Sequence, residues 1–156
     1  MTRIYLDTNI IVSRILKDAL FEDYNRIWSK IEKYHEIVVP QIVLGETLTI
    51  ILAKSRDKDN HVKEFTDLLL QNKILFKNNI PSLNRNILRT ALIIKEKEEF
   101  IDYCDAVLVA HAINDGRDCW VFTTDKQVHD SQHIFEMIQE LKNNSSIQLK
   151  LIQDIP

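Results

Sequence analysis

The chain has 156 residues, of which 45% are hydrophobic and 28% charged, and its formal net charge is -3. A chain of this size buries roughly 70% of its unfolded surface and forms about one domain. The composition argues against a disordered protein, and the charge shows no basic signature of a nucleic-acid-binding domain. If the partner is a polyanion, positive charge must come from local side chains or from a metal ion.

The two cysteines, Cys104 and Cys119, are too few for a disulfide framework and lack the spacing of a zinc site. They fit a reducing compartment, so we expect a cytoplasmic protein. The sequence shows no basic segment followed by a long apolar one at its start, and no run of about 18 apolar residues. We therefore expect neither a secretory signal nor a membrane span.

The predicted elements alternate between strands and helices. The first strand, Arg3–Leu6, is predicted to stop at Asp7, because polar turn formers follow it. The same patterns predict further strands at 37–40, 73–77 and 119–122 and a last one near 147–152. They predict helices over 10–16, about 22–31, 41–54, about 60–70, 81–97, 101–112 and about 126–142.

Strands separated by helices predict a mainly parallel sheet that is covered on both faces. We therefore expect residues 1–156 to form a single α/β domain. Its predicted architecture is a three-layer α/β/α sandwich with a mainly parallel sheet of roughly five strands. Gly116 is predicted to end the preceding helix in the left-handed conformation.

Four acidic residues stand where apolar core or tight turns would otherwise continue. Asp7 and Asp125 follow predicted strands, and Glu46 and Asp105 lie near the starts of predicted helices. In a parallel sheet these positions gather at the carboxyl edge, so four carboxylates would meet in one cleft. Two unit charges about 4 Å apart repel by roughly 4 kcal/mol at an effective dielectric of about 20. We therefore expect a cation to bind there.

Oxygen ligands select a hard divalent ion, Mg²⁺ or Mn²⁺, over zinc. Such an ion lowers the pKa of water and stabilises charge on a leaving oxygen, which suits hydrolysis of a phosphodiester. We expect Asn9 to order the loop at Asp7 through hydrogen bonds to the backbone. Thr8 or Thr123 is expected to orient an acid or a water molecule.

Positive charge for a polyanion is expected from scattered cations, among which Arg14, Lys54 and Arg56 are the candidates for RNA contact. Asp102 lies three residues before Asp105 on the same helix face. Asp102 is a candidate to support the site, but the preference of the helix dipole for an acid in this first turn is the more common reason for such a residue.

Each of these acids also has an ordinary structural explanation. Asp7 and Asp125 are suited to cap the helices that follow them, Glu46 to a solvated helix position, and Asp105 to a first helical turn. Cys104, His111 and the Trp and Phe side chains are predicted to be core rather than ligands or base-stacking surfaces.

Four motifs carry a resemblance to a known family: Tyr5–Asn9, Gly45–Thr47, Asp105–Ala112 and Val121–Asp125. In this order and spacing they resemble the PIN domain, the nuclease fold found in the toxins of VapBC-type toxin–antitoxin pairs. The resemblance covers essentially the whole chain. It implies a PIN-like fold and a ribonuclease that depends on Mg²⁺ or Mn²⁺.

By the same resemblance, the residues that are both catalytic and metal-binding would be Asp7, Glu46, Asp105 and Asp125. Asn9 and Thr123 would support them. A toxin would act on RNA, would bind a small antitoxin that covers the cleft, and would commonly be a homodimer.

Two other functions stay open within this family. One is an RNA-processing PIN nuclease outside a toxin–antitoxin system, and the other is a catalytically silent PIN-like module that binds RNA or serves as a scaffold. A phosphatase of the HAD class is disfavoured, because it carries a second acid two residues after its nucleophile, and that position after Asp7 is Asn9.

Overall fold

A computed structural model describes residues 2–19, 21–34, 36–74, 80–142 and 145–151. The strands are β1 (Arg3–Leu6), β2 (Glu36–Val38), β3 (Cys119–Thr123) and β4 (Ile147–Leu151). The helices are α1 (Thr8–Leu16), α2 (Phe21–Tyr34), α3 (Gln41–Lys54), α4 (Lys58–Gln71), α5 (Arg85–Lys97), α6 (Tyr103–Asn114), α7 (Lys126–Asp130) and α8 (Gln132–Leu141). None of these described helices is long and apolar enough to cross a membrane.

The described strands form one parallel sheet in the order β2-β1-β3-β4. From β1 the chain crosses outward to β2, and from β3 it crosses outward to β4 in the opposite direction. Because such crossovers are right-handed, the two directions place helices on opposite faces of the sheet. The predicted three-layer α/β/α fold with a parallel sheet is thereby confirmed.

The direction of the crossovers changes between β1 and β3. In open α/β sheets, ligands bind outside the carboxyl ends of the strands at this switch point. In β1, Ile4, Tyr5 and Leu6 are no more than 2% exposed, as expected of a central strand covered on both faces. The end of β1 therefore holds the residue that follows it in a fixed position.

The described sheet has four strands, whereas roughly five were predicted. The difference comes from the strand predicted over 73–77. Lys73 and Ile74 form a turn after α4, with Lys73 in the left-handed region at a φ of 58°, and residues 75–79 lie outside the described residues. The last predicted strand is present as β4, although Ile152 also lies outside the described part.

The helix predicted over 126–142 is in fact two helices, α7 and α8. The break falls at Ser131, whose Oγ accepts a hydrogen bond from the backbone N–H of Ile134 at 3.1 Å and so caps α8. The helix predicted over 81–97 begins later than expected, after its N-cap Asn84. In both cases a short polar side chain bonds to the backbone and sets a helix boundary that apolar periodicity does not show.

The prediction that Gly116 ends α6 in the left-handed conformation is wrong. No described glycine has a positive φ, and the C-cap of α6 is Asp115 at a φ of -74°. The ammonium of Lys142 takes over this role, because its Nζ donates to the carbonyls of Ala112 at 2.6 Å and Asp115 at 2.7 Å. A distant side chain thus satisfies carbonyls at the end of α6.

Lys142→Ala is expected to lower the free energy of unfolding by about 1–3 kcal/mol, because Lys142 is buried and its removal takes the ammonium donor from the carbonyl of Asp115 and leaves that of Ala112 only the backbone N–H of Asp115 at 3.3 Å. Chemical denaturation measures this difference. Lys126→Ala is the matched control, since Lys126 is exposed on α7 and its loss should change stability by less than about 0.5 kcal/mol. A Lys142→Ala protein as stable as the wild type would contradict the capping role.

The aromatic side chains are not all in the core, contrary to prediction. Trp28 and Phe122 are buried, but Phe100 and Phe135 are 46% and 54% exposed. Helical periodicity could not separate these cases, because burial of an aromatic ring depends on which other element packs over it.

Candidate active site

Two of the four predicted acids lie at the switch point of the sheet. Asp7 follows β1, and its backbone N–H donates to the carbonyl of Phe122 in β3 at 3.0 Å. Asp125 comes two residues after the end of β3. Because Leu6 pairs with Phe122, the two strand ends are level, and both acids lie at the same edge of the sheet.

Asp7 is 6% exposed and is held by three hydrogen bonds. Its Oδ2 accepts from the backbone N–H of Thr124 at 3.1 Å and from Thr124 Oγ1 at 3.0 Å. Its Oδ1 accepts from the backbone N–H of Asn9 at 3.3 Å and so caps α1. Burial raises the pKa of Asp7 and the carboxylate of Glu46 adds to this, whereas the bonds from Thr124 and Asn9 oppose it.

Glu46 reaches the site from α3, which packs against α1. Thr8 Oγ1 donates to Glu46 Oε2 at 2.5 Å, so the first residue of α1 orients this carboxylate. Cys104 lies close enough to Glu46 for the carboxylate to act on its thiol. Burial, together with Glu46 and the neighbouring acids of α6, raises the pKa of Cys104 to about 12, so the thiol stays protonated. Cys104 is therefore a half-buried neighbour of the acids and not a core residue.

Asp105 lies where the negative charges converge. Its pKa is raised to about 8, first by burial and then by the carboxylates of Asp7, Asp102, Asp125 and Glu46. These carboxylates come from the ends of β1 and β3, from α3 and from the start of α6. The fold thus brings all four predicted catalytic acids close enough together for their charges to act on one another.

Asp125 and Asp102 cap helices as Asp7 does. Asp125 Oδ1 accepts from the backbone N–H of Gln127 at 2.8 Å and caps α7, while the backbone N–H of Asp125 donates to Thr123 Oγ1 at 3.0 Å. Asp102 is exposed, and its Oδ1 accepts from the backbone N–H of Asp105 at 2.8 Å as the N-cap of α6. Capping fixes these side chains at the cleft. It uses one oxygen of each carboxylate.

The donor set fits a hard divalent cation in its chemistry. It consists of carboxylate oxygens, and within the described ranges none of the four acids forms an ion pair with Lys, Arg or His. However, no three Asp, Glu, His or Cys side chains of the described residues already stand in an arrangement that could hold a metal ion. In the structure the carboxylate of Asp7 instead accepts hydrogen bonds from Thr124, and that of Glu46 accepts one from Thr8.

Sequence reasoning missed Thr124. The sequence predicts support from Asn9, Thr8, Thr123 and Asp102, yet Thr124 supplies both its backbone N–H and its hydroxyl to Asp7. Asn9 Nδ2 in turn donates to Thr124 Oγ1 at 3.2 Å, which links the loops after β1 and β3. The two adjacent hydroxyl residues before Asp125 are visible in the sequence, but the sequence pattern does not indicate which of them faces Asp7.

The predicted cations are not gathered at the acids. Arg14 lies in the last turn of α1, with its guanidinium 5.8 Å from the centre of the Phe21 ring. Lys54 is the last residue of α3, eight residues or roughly 12 Å of helix beyond Glu46, and Arg56 follows it. Any contact of these cations with RNA would therefore be made away from the carboxylates.

His111 is packed, as predicted. It is 4% exposed in α6, and its Nε2 has no hydrogen-bond partner among the described residues. Burial lowers the pKa of His111 to about 4, so the ring is neutral at physiological pH.

Comparison with known proteins gave a family and a fold. A family model described as the PIN domain matches residues 4–132. Among similar solved structures is one described as VapBC2 from Rickettsia felis bound to a DNA fragment from their promoter. It is 19% identical to this chain, with a TM-score of 0.64, and the match covers 96% of this chain and 99% of that chain. FitAcB from Neisseria gonorrhoeae is 18% identical, with a TM-score of 0.65 over 97% of this chain and 99% of that chain.

A third similar structure is VapC20 from Mycobacterium tuberculosis, described as a sarcin-ricin loop cleaving toxin. It is 17% identical to this chain, with a TM-score of 0.57 over 78% of this chain and 91% of that chain. At such identities the likeness shows the fold. No curated protein sequence matches this chain.

Proposed function

The chain belongs to the PIN domain family, and from this premise we propose that it is a divalent-metal-dependent endoribonuclease, the toxin of a toxin–antitoxin pair. Asp105 is the main support for this function. Its pKa is raised to about 8 because it is half-buried beside acids from three other parts of the fold. Strongly shifted pKa values cluster at functional sites, and the switch point of a parallel sheet is where such sites form.

The residues proposed to be catalytic and to hold Mg²⁺ or Mn²⁺ are Asp7, Glu46, Asp105 and Asp125. A bound ion of this kind would activate water for attack on phosphorus and would neutralise charge on the phosphate. The neutralisation matters for this chain in particular, since an RNA phosphate would otherwise be repelled by several carboxylates at once.

Other side chains of the cleft position the proposed ligands. Thr124 and Asn9 fix the orientation of Asp7, and Thr8 fixes Glu46. Asp125 uses Oδ1 to cap α7, which leaves its Oδ2 for a ligand or substrate. Preorganisation of this kind lets charged groups act without reorganising during the reaction.

RNA is the proposed substrate and an antitoxin is the proposed protein partner in the cytoplasm. The family supports both, as do the similar structures, several of which are named as VapBC or toxin–antitoxin complexes. Arg14, Lys54 and Arg56 are proposed to contact RNA away from the cleaved bond.

A homodimer is also proposed, on the basis of two exposed apolar stripes. Leu48 and Leu52 lie four residues apart on α3 and are 38% and 44% exposed, and Leu88 and Leu92 lie four residues apart on α5 and are 47% and 54% exposed. Residues at this spacing share a helix face, and exposed apolar patches often mark protein contacts. Sedimentation velocity at micromolar concentration tests the proposal, and a purely monomeric protein would contradict it.

Metal-dependent cleavage of RNA tests the main proposal. Labelled single-stranded and hairpin RNAs are incubated with the purified protein in Mn²⁺, in Mg²⁺ and in EDTA, and calorimetry measures metal binding. We expect cleavage with metal and none in EDTA. RNA binding without either cleavage or metal binding would instead favour the catalytically silent RNA-binding or scaffold module. Cutting confined to a structured precursor RNA would favour an RNA-processing nuclease.

A further inference from the structure

The α5–α6 turn, residues 98–102, leads directly into the helix that carries Asp105. Ile101 in this turn is fully buried, and Asp102 closes the turn as the N-cap of α6. Asp102 Oδ1 accepts from the backbone N–H of Asp105 at 2.8 Å, so the turn is tied directly to the acid on which the negative charges converge. The place of Asp105 in the cleft therefore depends on the conformation of the α5–α6 turn.

One ammonium group holds this turn. Lys95 is half-buried in the last turn of α5, and its Nζ donates to the carbonyl of Glu99 at 2.8 Å and to the carbonyl of Ile101. The same Nζ lies 5.2 Å from the centre of the ring of Tyr103, the first residue of α6. No backbone N–H of the described residues donates to either carbonyl, so within that part of the chain both depend on Lys95.

The contacts of Lys95 favour a tie within the protein over contact with RNA. An ammonium has three N–H donors, and Lys95 uses donors on two carbonyls while an aromatic ring lies against the cation. Hydrogen bonds from an ionised donor are stronger than neutral ones, so the two carbonyls are held firmly. Among the described residues Lys95 forms no ion pair with a carboxylate. Its effect on the acids therefore passes through the α5–α6 turn.

The placement of Asp105 matters because the other acids come from different elements. Asp7 and Asp125 follow β1 and β3, and Glu46 lies on α3. Their carboxylates all act on that of Asp105, which α6 carries. Mg²⁺ demands near-ideal octahedral geometry, and a displacement of about 1 Å at a catalytic group can cost about 10²-fold in rate. A movement of α6 against the rest of the cleft would therefore disturb the binding of a shared ion.

We propose that Lys95 is a positioning residue of the acidic cleft. By bonding to the carbonyls of Glu99 and Ile101, it fixes the α5–α6 turn and so sets the carboxylate of Asp105 against the other three acids. This inference rests on the proposed function, and it deepens it by assigning the residue that holds the metal-binding geometry at the start of α6. Lys95 acts through the turn and not on the reacting atoms.

The test compares the wild type with Lys95→Met, which keeps an apolar stem and loses the donor, and with Lys95→Arg, which keeps a cation with several N–H donors. Lys95→Met is expected to weaken Mn²⁺ binding about fivefold and to slow single-turnover cleavage about tenfold, because Asp105 is displaced. The Kd for RNA at saturating Ca²⁺ should change less than about twofold, because a positioning residue does not touch the strand. Lys95→Arg should recover most of both losses.

Two controls separate positioning from a general loss of stability. Lys97→Met removes an exposed cation from the same turn of α5 and should leave Mn²⁺ binding and cleavage unchanged. Lys142→Ala loosens the opposite end of α6, and at a temperature where it is folded it should weaken Mn²⁺ binding less than about twofold, since distant sites act independently. Circular dichroism and chemical denaturation check that each variant is folded. Lys95→Gln keeps a neutral donor and should show the same losses as Lys95→Met in smaller measure.

The outcomes separate this inference from the proposed nuclease. Cleavage by the wild type with unchanged Mn²⁺ binding and cleavage in Lys95→Met would overturn the positioning role and leave the nuclease standing. Mn²⁺ binding that is weakened in Lys95→Met and restored in Lys95→Arg, without cleavage by the wild type, would support positioning while the nuclease fails. No Mn²⁺ binding by the wild type would overturn both.

Two further results would overturn the positioning role alone. Weaker RNA binding with unchanged Mn²⁺ binding in Lys95→Met would assign Lys95 to contact with phosphate. Equal losses of Mn²⁺ binding in Lys95→Met and Lys142→Ala would reduce the effect of Lys95 to the stability of α6.

Discussion

Asp7→Asn is expected to lower the rate of metal-dependent RNA cleavage by at least about 10²- to 10³-fold, the usual effect of removing one preorganised charge from a catalytic site. The residue is buried at the switch point and is held by Thr124 and Asn9, so its carboxylate cannot be replaced by a neighbouring acid without rearrangement. Asparagine keeps the size of the side chain but removes the anionic oxygen that a hard cation requires.

The fold should survive this substitution. Asparagine is a good N-cap, so Oδ1 can still accept from the backbone N–H of Asn9 at the start of α1. Loss of the second acceptor weakens the contact with Thr124, but burial of a charge and repulsion from Glu46 are both relieved. We therefore expect a free energy of unfolding within about 1–2 kcal/mol of the wild type.

The control is Asp67→Asn, which removes an exposed acid on α4 and should leave cleavage unchanged. Single-turnover cleavage and calorimetric titration with Mn²⁺ are measured on both variants beside the wild type. Full activity of Asp7→Asn, or equal loss in Asp67→Asn, would contradict the assignment of the acidic cleft as the catalytic centre.

In EDTA, the protein is expected to lose about 1–2 kcal/mol of stability as the pH rises from 6.5 to 8. The pKa of Asp105 is about 8 in the folded protein and 3.8 is its ordinary value. Between these values the folded protein binds a proton that the unfolded chain has released. The stability that this proton contributes is present at low pH and is lost as pH rises towards 8. Asp7, whose pKa is also raised, acts in the same direction.

His111 makes the choice of pH range important. Its pKa falls from 6.5 to about 4 on folding, so its contribution to stability is lost as pH falls from 6.5 towards 4. This trend opposes that of Asp105 below pH 6.5. Between pH 6.5 and 8 the imidazole of the unfolded chain releases its remaining proton, which adds only about 0.4 kcal/mol of stability, so the slope over this range reports mainly the carboxylates.

Asp105→Asn should flatten this slope and should stabilise the protein at pH 8, because an uncharged amide replaces a carboxylate that its neighbours repel. Urea denaturation in EDTA at pH 6.5, 7.25 and 8 measures the effect, with Asp67→Asn as the control that keeps the wild-type slope. A wild-type stability that rises over this range, or a slope unchanged in Asp105→Asn, would contradict the convergence of charge at Asp105.

Local patterns accounted for the elements that carry the acids. The apolar run that ends at Asp7 predicted β1 and its stop, and the helix predicted over 41–54 has the bounds observed for α3. Both follow from interactions between residues close in sequence, which periodicity and turn chemistry describe. The single-domain extent over 1–156 stays a prediction.

Such local patterns could not predict contacts between residues that are far apart in sequence. Thr124 bonds to Asp7 from 117 residues away, and Lys142 caps α6 from 30 residues beyond Ala112. In each case the residue type was visible, but its partner was set by the packing of elements far apart in sequence.

The sequence by itself determined the alternation of strands and helices, the parallel sheet, and the four acids at its carboxyl edge, because each depends on local order along the chain. Only the tertiary structure decided that these acids meet at Asp105 and that its pKa rises to about 8. Burial and repulsion act through space, and their strength depends on distances that the folded chain alone sets.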